Sequence, residues 1–307
     1  MKKFAKNISI ISVIIVFVFL CLEIFYRFSP NNYTEKHKYI KEGYNDTEVL
    51  VFGNSHAFYG INPVFFELKT FNISNISQTL LYDKLLFEKH IDSLQKLKYI
   101  ILPIEYTSLS HDNDIGDLKW RKYFYEAQMG INTGLISDLD IKKYFLALSP
   151  RLKITVEAIK KYFKNGTIAD CTNNGFASYI GVNKINNNNK AANIIMNKHE
   201  DNSVDFHENL NIVNYIINKC KQKGVKVIIV NMPVTTYYAE KVNKEKREKI
   251  IEKCSKLDGQ SNVYYLDVFQ NANININDFH DVDHLNVEGA KKCSNILNAY
   301  IMSINNN

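Results

Sequence analysis

The chain has 307 residues, of which 46% are hydrophobic and 23% charged. That apolar share excludes disorder along the whole length, and a mean hydropathy of −0.24 excludes a protein built of many membrane spans. A net charge of +6, with no long basic run and no zinc-finger or RNA-binding pattern, argues against nucleic acid and suits at most an anionic envelope polymer.

Residues Ile8 to Tyr26 (ISIISVIIVFVFLCLEIFY) carry a single charge, Glu23, near their far end. A run of ~20 apolar residues crosses a bilayer, so residues 1–28 are expected to form a transmembrane anchor. Lys2, Lys3 and Lys6 precede the run and no small-residue cleavage site follows it. That pattern favours an uncleaved anchor over a cleaved signal peptide. The short N-terminal tail favours an extracytoplasmic body, although Arg27, Lys36, Lys38 and Lys41 also flank the far side. Residues 29–47 are polar and read as a stalk.

Beyond the stalk, strands and helices alternate. Glu48–Phe52 (EVLVF), Phe71–Ser74, Lys98–Pro103 (KYIILP), Val225–Val230 (VKVIIV) and Val263–Leu266 (VYYL) read as short buried strands. Helices are expected over Thr79–Leu94, over 203–223 with Gly224 as its cap, over Lys241–Lys256 and over Val287–Ile304. This alternation predicts an α/β fold, a three-layer parallel sheet with helices on both faces. The stretch 107–202 fits it poorly: it holds the polar run 111–117, an aromatic segment (WRKYFYEAQMG), a helical region near 139–164 and the Asn-rich NKINNNNK. It reads as an insertion or cap within a domain over 48–307, ending in a flexible loop.

Cys21 falls in the anchor, and no C-x-x-C occurs. Cys220, Cys254 and Cys293 lie on apolar helix faces and, with Cys171, read as free thiols, disulfide pairing being the alternative.

In open α/β sheets, ligands sit beyond the carboxyl ends of the strands. After the first strand come Gly53, Asn54, Ser55 and His56; after the second, Asn75, Ser77 and Gln78; after the third, Glu105; after the fourth, Asn231. Past the fifth comes DFHDVDHL, from Asp278 to Leu285. A serine on a tight strand-to-helix turn needs a base at hydrogen-bond distance, and that base needs a carboxylate to orient it. An Asp three residues before a His on one loop can meet that ring locally. Asp283 and His280 compete with Asp281 and His284 for these roles. His56 with His280 and Asp281 lacks a metal-ligand spacing, and no metal or organic cofactor is expected.

GNSH at 53–56 and DVDHLNVEGA at 281–290 resemble the first and last blocks of SGNH/GDSL hydrolases. The order of the two blocks and the N-terminal anchor bring the chain nearest to membrane-anchored envelope members: the D-alanine transfer protein of teichoic acid synthesis and proteins of exopolysaccharide O-acetylation. The resemblance implies a flavodoxin-like sheet of SGNH type, with Ser55 as nucleophile, His284 as base and Asp281 as its orienter. It also implies an oxyanion hole in which Ser77 stands where the family has Gly, and it finds no GxND block at Ile104-Glu105-Tyr106. Asn75 and Asn54 are the substitute donors, and Glu105 and Asn231 are substrate-side candidates, a structural acceptor being the alternative for Glu105. The implied activity is acyl transfer or ester hydrolysis on an envelope or exopolysaccharide glycan. The implied partners are the membrane, that glycan and a membrane-bound O-acyltransferase. The alternative is a catalytically degenerate, glycan-binding or accessory protein.

Overall fold

All five apolar segments become strands of one parallel sheet. In chain order, the computed structural model places helix α1 over Lys2–Phe28, α2 over Asn32–Glu42, strand β1 over Val49–Val51, α3 over Ser55–Gly60, β2 over Thr70–Asn72, α4 over Leu80–His90 and β3 over Tyr99–Pro103. There follow α5 (Arg121–Met129), α6 (Leu152–Asn165), α7 (Asn189–His199), α8 (His207–Gln222), β4 (Lys226–Asn231), α9 (Thr236–Ala239), α10 (Lys244–Leu257), β5 (Val263–Asp267) and α11 (Val287–Asn305). The structure describes residues 2–110, 119–183, 186–260 and 262–305; the polar run 111–117 lies outside them.

The strand order is β2-β1-β3-β4-β5, every pairing parallel. This is the doubly wound, flavodoxin-like order, and its switch point lies between β1 and β3. Successive side chains of a strand point to opposite faces. Val49, Val51, Ile101, Ile228 and Val230 pack with Cys293, Leu297 and Ile301 of α11. On the other face Phe52 meets Phe87 of α4 at 6.3 Å between ring centroids, and α8 lies against β4. Two covered faces explain why the strands are apolar without alternation.

The described residues fall into two compact units, 2–37 with 119–169 and 38–110 with 170–305. The sheet belongs wholly to the second. This division redraws two expected boundaries. Residues 29–47 are not a stalk: they hold α2, whose Tyr33 lies edge-on to Tyr125 at 4.9 Å and whose Ile40 is buried. Lys36, between them, is buried as well, so a polar composition does not keep this segment in solvent. Nor is 107–202 one insertion, because residues up to Ala169 group with the N-terminal segment and those from Asp170 group with the sheet.

Local details follow from caps and breakers. The helix expected near 139–164 is interrupted: short 3₁₀ turns cover Ile141–Lys143 and Leu146–Leu148, and α6 begins only after Pro150, which cannot sit inside a helix. Tyr123, Phe124 and Tyr125 of the aromatic segment are core residues. The Asn-rich run is not simply a loop, since the Asn188 side chain accepts the Ala191 N–H at 3.0 Å and opens α7. All five cysteines are free thiols. Burial pushes the thiols of Cys220, Cys254 and Cys293 up to about 12, as fits inert packing residues. Helix α1 is long and apolar enough to cross a membrane.

Candidate active site

The site grows from the turn after β1. Gly53 has φ +108, and a Cβ there would lie 2.9 Å from Pro103 Cγ, so both backbone and space call for glycine. Its N–H donates to Asp83 Oδ1 at 3.0 Å and its carbonyl accepts the Asn75 N–H at 3.1 Å. Asp83 also accepts Gln78 Nε2 at 2.7 Å; burial pushes its carboxyl up to about 7. Asn54 caps α3, its side chain accepting the His56 N–H at 2.8 Å. Ser55 is therefore the first residue of a short helix at the sheet's switch point.

The loop before α11 brings the other two groups. Phe279 and Leu285 form an antiparallel bridge, and the His280 N–H donates to the His284 carbonyl at 2.8 Å. The Thr235 hydroxyl and N–H both donate to the Val282 carbonyl, at 2.7 and 3.1 Å. Held this way, His284 Nε2 lies 2.9 Å from Ser55 Oγ. Its Nδ1 lies 3.1 Å from both Asp281 carboxylate oxygens, and Asp281 Oδ1 accepts the backbone N–H groups of Asp283 and His284. Ser55, His284 and Asp281 thus meet as a serine, a ring and a carboxylate in line.

A second charged chain meets the first. Asp283 is 2% exposed; its Oδ1 lies 3.3 Å from His284 Nδ1 and its Oδ2 lies 3.3 Å from His56 Nε2. His56 Nδ1 lies 2.6 Å from Glu105 Oε2, off the hydrogen-bond axis, and the same oxygen accepts Asn54 Nδ2 at 2.9 Å. Burial lowers the pKa of the His56 ring, but Glu105 and Asp283 outweigh it and raise the ring to about 9. For His284 burial also lowers the pKa, and Asp283 with Asp281 outweighs it and holds the ring well above 6.5. Burial alone would raise the Asp283 carboxyl; His284 and His56 hold it well below the usual carboxylate range.

The sequence-predicted residues divide accordingly. Ser55, His284 and Asp281 come together directly. Glu105 and Asn54 join through His56: Glu105 Oε2 faces the His56 ring and takes Asn54 Nδ2, while its Oε1 is buried without a hydrogen-bond partner among the described residues. Asn75 is 1% exposed, and its Oδ1 takes the Ile76 N–H at 2.9 Å. Ser77 has φ +56, the backbone region that favours glycine. Asn231 donates to Asp267 at 3.2 Å and lines a cavity of about 10 Å³ with His56, Glu105, Met232, Tyr238 and Phe269, room for about one water. His280 turns away: it stacks on Tyr179 at 4.2 Å and its Nδ1 lies 3.1 Å from the Gly181 carbonyl.

Sequence reasoning missed the bridging parts played by Asp283 and His56. The signal for His56 was its place one residue after Ser55, which sends it to another side of α3. It missed Tyr59 and Tyr179 altogether. Tyr179 stacks on Tyr59 at 4.0 Å, and both rings stand edge-on to His284, at 5.8 and 6.0 Å. The Val287 N–H holds the Tyr179 carbonyl at 3.0 Å.

A protein-family model matches residues 153–306, half of the chain. The chain belongs to that family. Among solved structures, a candidate platelet activating factor from Streptococcus pneumonia is similar at 13% identity and a TM-score of 0.40, over 87% of this chain and 91% of that one. No curated protein matches the sequence.

His56, Asp283 and His284 place ligand atoms within 4.8 Å of one another, the metal-type cluster found among the described residues. A cation there would compete with the ion pairs just described, and with Asp281 for His284 Nδ1.

The pairing can be tested without any assay of activity. A nearby carboxylate favours the charged ring, so removing it lowers the ring's pKa. In the full chain, Asp283→Asn is expected to move the His284 titration, followed by NMR, to lower pH. An unmoved titration would remove Asp283 from the account.

Proposed function

We propose that the chain is a membrane-anchored serine acyl-transfer enzyme of SGNH type. Its body lies outside the cytoplasm and it acts on O-acyl groups of a cell-envelope or exopolysaccharide glycan. The observation that carries this reading is the 2.9 Å contact of Ser55 Oγ with His284 Nε2, on a ring whose other nitrogen rests on Asp281 at 3.1 Å. Serine at its own pKa is a weak nucleophile, and this arrangement supplies the missing base.

Ser55 Oγ bonds to the acyl carbonyl carbon as His284 Nε2 takes its proton. The carbonyl electrons move onto oxygen, then return to expel the alcohol, which takes the proton back from His284. The acyl-serine is released when a sugar hydroxyl, or water, attacks with its proton passing to the same nitrogen; Ser55 recovers that proton as it leaves. Asp281 holds the ring's orientation throughout. The Ser55 N–H at the start of α3, the Ser77 N–H and the Asn75 carboxamide are the donors suited to the oxyanion. Asn54 is not among them, being bound to Glu105. The anchor favours a polymer at the membrane over soluble esters, and a membrane-bound O-acyltransferase suits the role of acyl donor.

Incubation of the full chain with an activated acyl ester, followed by peptide mass analysis, tests the reading. The expected result is an acyl adduct on Ser55, removed on adding a sugar acceptor or by water. Absence of any adduct across acetyl, longer acyl and fluorophosphonate reagents would favour a non-catalytic, glycan-binding accessory.

A further inference from the structure

We infer that residues 139–163 form a membrane-docking collar, lying in the headgroup zone of the bilayer around the end of α1. The observation is an apolar surface left uncovered beside the membrane-spanning helix. From Lys2 to Val18 every residue of α1 is exposed. Packing within this unit begins at Phe19, whose ring meets Phe145 at 5.4 Å. The Glu23 carboxylate then pairs with Arg27 and accepts the Ala147 N–H at 2.9 Å, and Arg27 donates to the Tyr144 carbonyl at 2.6 Å. Phe25 meets Tyr162 of α6, and the Tyr26 hydroxyl donates to Thr155 at 2.9 Å. Segment 139–163 is therefore built onto α1 at the level of residues 19–26. At ~1.5 Å per residue the apolar run from Ile8 to Tyr26 spans about 27 Å, close to the ~30 Å hydrocarbon thickness of a bilayer, and Glu23 with Arg27 stands within about a turn of its far end. The ion pair and everything packed around it then fall at the interface.

The outward surface of the segment suits that depth. Leu139, Leu152 and Phe163 are 95%, 77% and 85% exposed, with Ile141 and Tyr144 also exposed. On α6, Leu152, Val156, Ile159 and Phe163 recur at helical spacing and share an arc of about 60°. Thr155 and Tyr162, which meet α1, lie to one side of that arc, and Lys153, Lys160 and Lys164 flank the other. A helix with an exposed apolar stripe bordered by lysines is the form that lies in a membrane interface, its stripe in the acyl boundary and its ammonium groups among phosphates. A water-facing helix has no use for such a stripe. Continuity with the membrane-spanning helix commits the surface to lipid rather than to a protein partner.

Full-length Leu139→Trp and Phe163→Trp proteins test this, each in the parent and in a Trp120→Phe background, Trp120 being the sole tryptophan. Both substitutions replace exposed side chains, so folding is preserved. The parent signal is subtracted where Trp120→Phe does not fold. The proteins are reconstituted into phosphatidylcholine–phosphatidylglycerol vesicles brominated either high or deep on the acyl chains. Both tryptophans are expected to emit at shorter wavelength than free tryptophan in water, and to lose most of that emission to the shallow bromines and less to the deep ones. Emission as in water with no quenching overturns the proposal. So does a blue shift without quenching, which would mean a protein covers the surface, and so does stronger quenching by the deep bromines.

Discussion

Ser55→Ala is expected to abolish turnover of an activated acyl ester, by on the order of 10⁴-fold or more, while thermal unfolding stays where it was. The hydroxyl makes the 2.9 Å contact with His284 Nε2, and it is the nucleophile of the proposed reaction. Alanine suits the first position of a helix. The α3 cap rests on Asn54 and the turn rests on Gly53 and Asp83, so the substitution leaves the local structure intact. His284→Ala is expected to cost a similar factor, and the double variant little more than either alone, because groups that act as one unit do not lose activity additively. The measurement is kcat/KM for the three variants beside their unfolding curves. Retention of parent-level turnover by Ser55→Ala would end the serine mechanism, whatever the triad geometry.

Gly289→Ala is expected to destabilise the protein by about 3 kcal/mol and to remove most of its turnover. Helix propensity alone predicts the opposite sign, since replacing glycine by alanine inside a helix favours the helix by about 1 kcal/mol. The neighbourhood decides. A Cβ on Gly289 would stand 2.0 Å from the Asp278 carbonyl oxygen and 2.8 Å from Leu285 Cδ2. That carbonyl accepts the Asn286 N–H at 2.9 Å, and the Asn286 side chain in turn caps α11 through the N–H groups of Glu288 and Gly289. Relief of the clash must therefore move either α11 or the 278–286 loop that carries Asp281, Asp283 and His284. Glu288→Ala, at an exposed neighbouring position, is the control and should change neither property. A stabilised, fully active Gly289→Ala protein would show that the helix and loop are not in this close contact.

Much of the fold was legible because its signals are local. Short apolar runs such as VKVIIV and KYIILP cannot be half-exposed, and their alternation with amphipathic helices leaves few arrangements besides a parallel sheet. The Asp281–His284 contact was legible for the same reason, being made within one loop. Contacts joining distant segments left no periodic trace. Nothing in the text of the chain pairs Glu105 with His56, or His56 with Asp283, although those contacts raise the His56 ring's pKa to about 9. Likewise the residues up to Ala169 read as an insertion in the sheet domain, because their apolar stripe cannot announce whether it faces α1, lipid or a core.

By itself the sequence determined the apolar N-terminal helix, the five strands and their helices, and the chemical types gathered after each strand. Those depend on hydrophobic periodicity, turn residues and caps within a few positions of one another. Only the tertiary structure decided the strand order that puts the turns after β1 and β3 side by side, the 2.9 Å approach of Ser55 to His284, and the buried Asp283 shared by two histidines. It also decided which unit residues 119–169 join. These outcomes depend on distances between segments far apart in the chain, where burial and charge, rather than local pattern, select the partner.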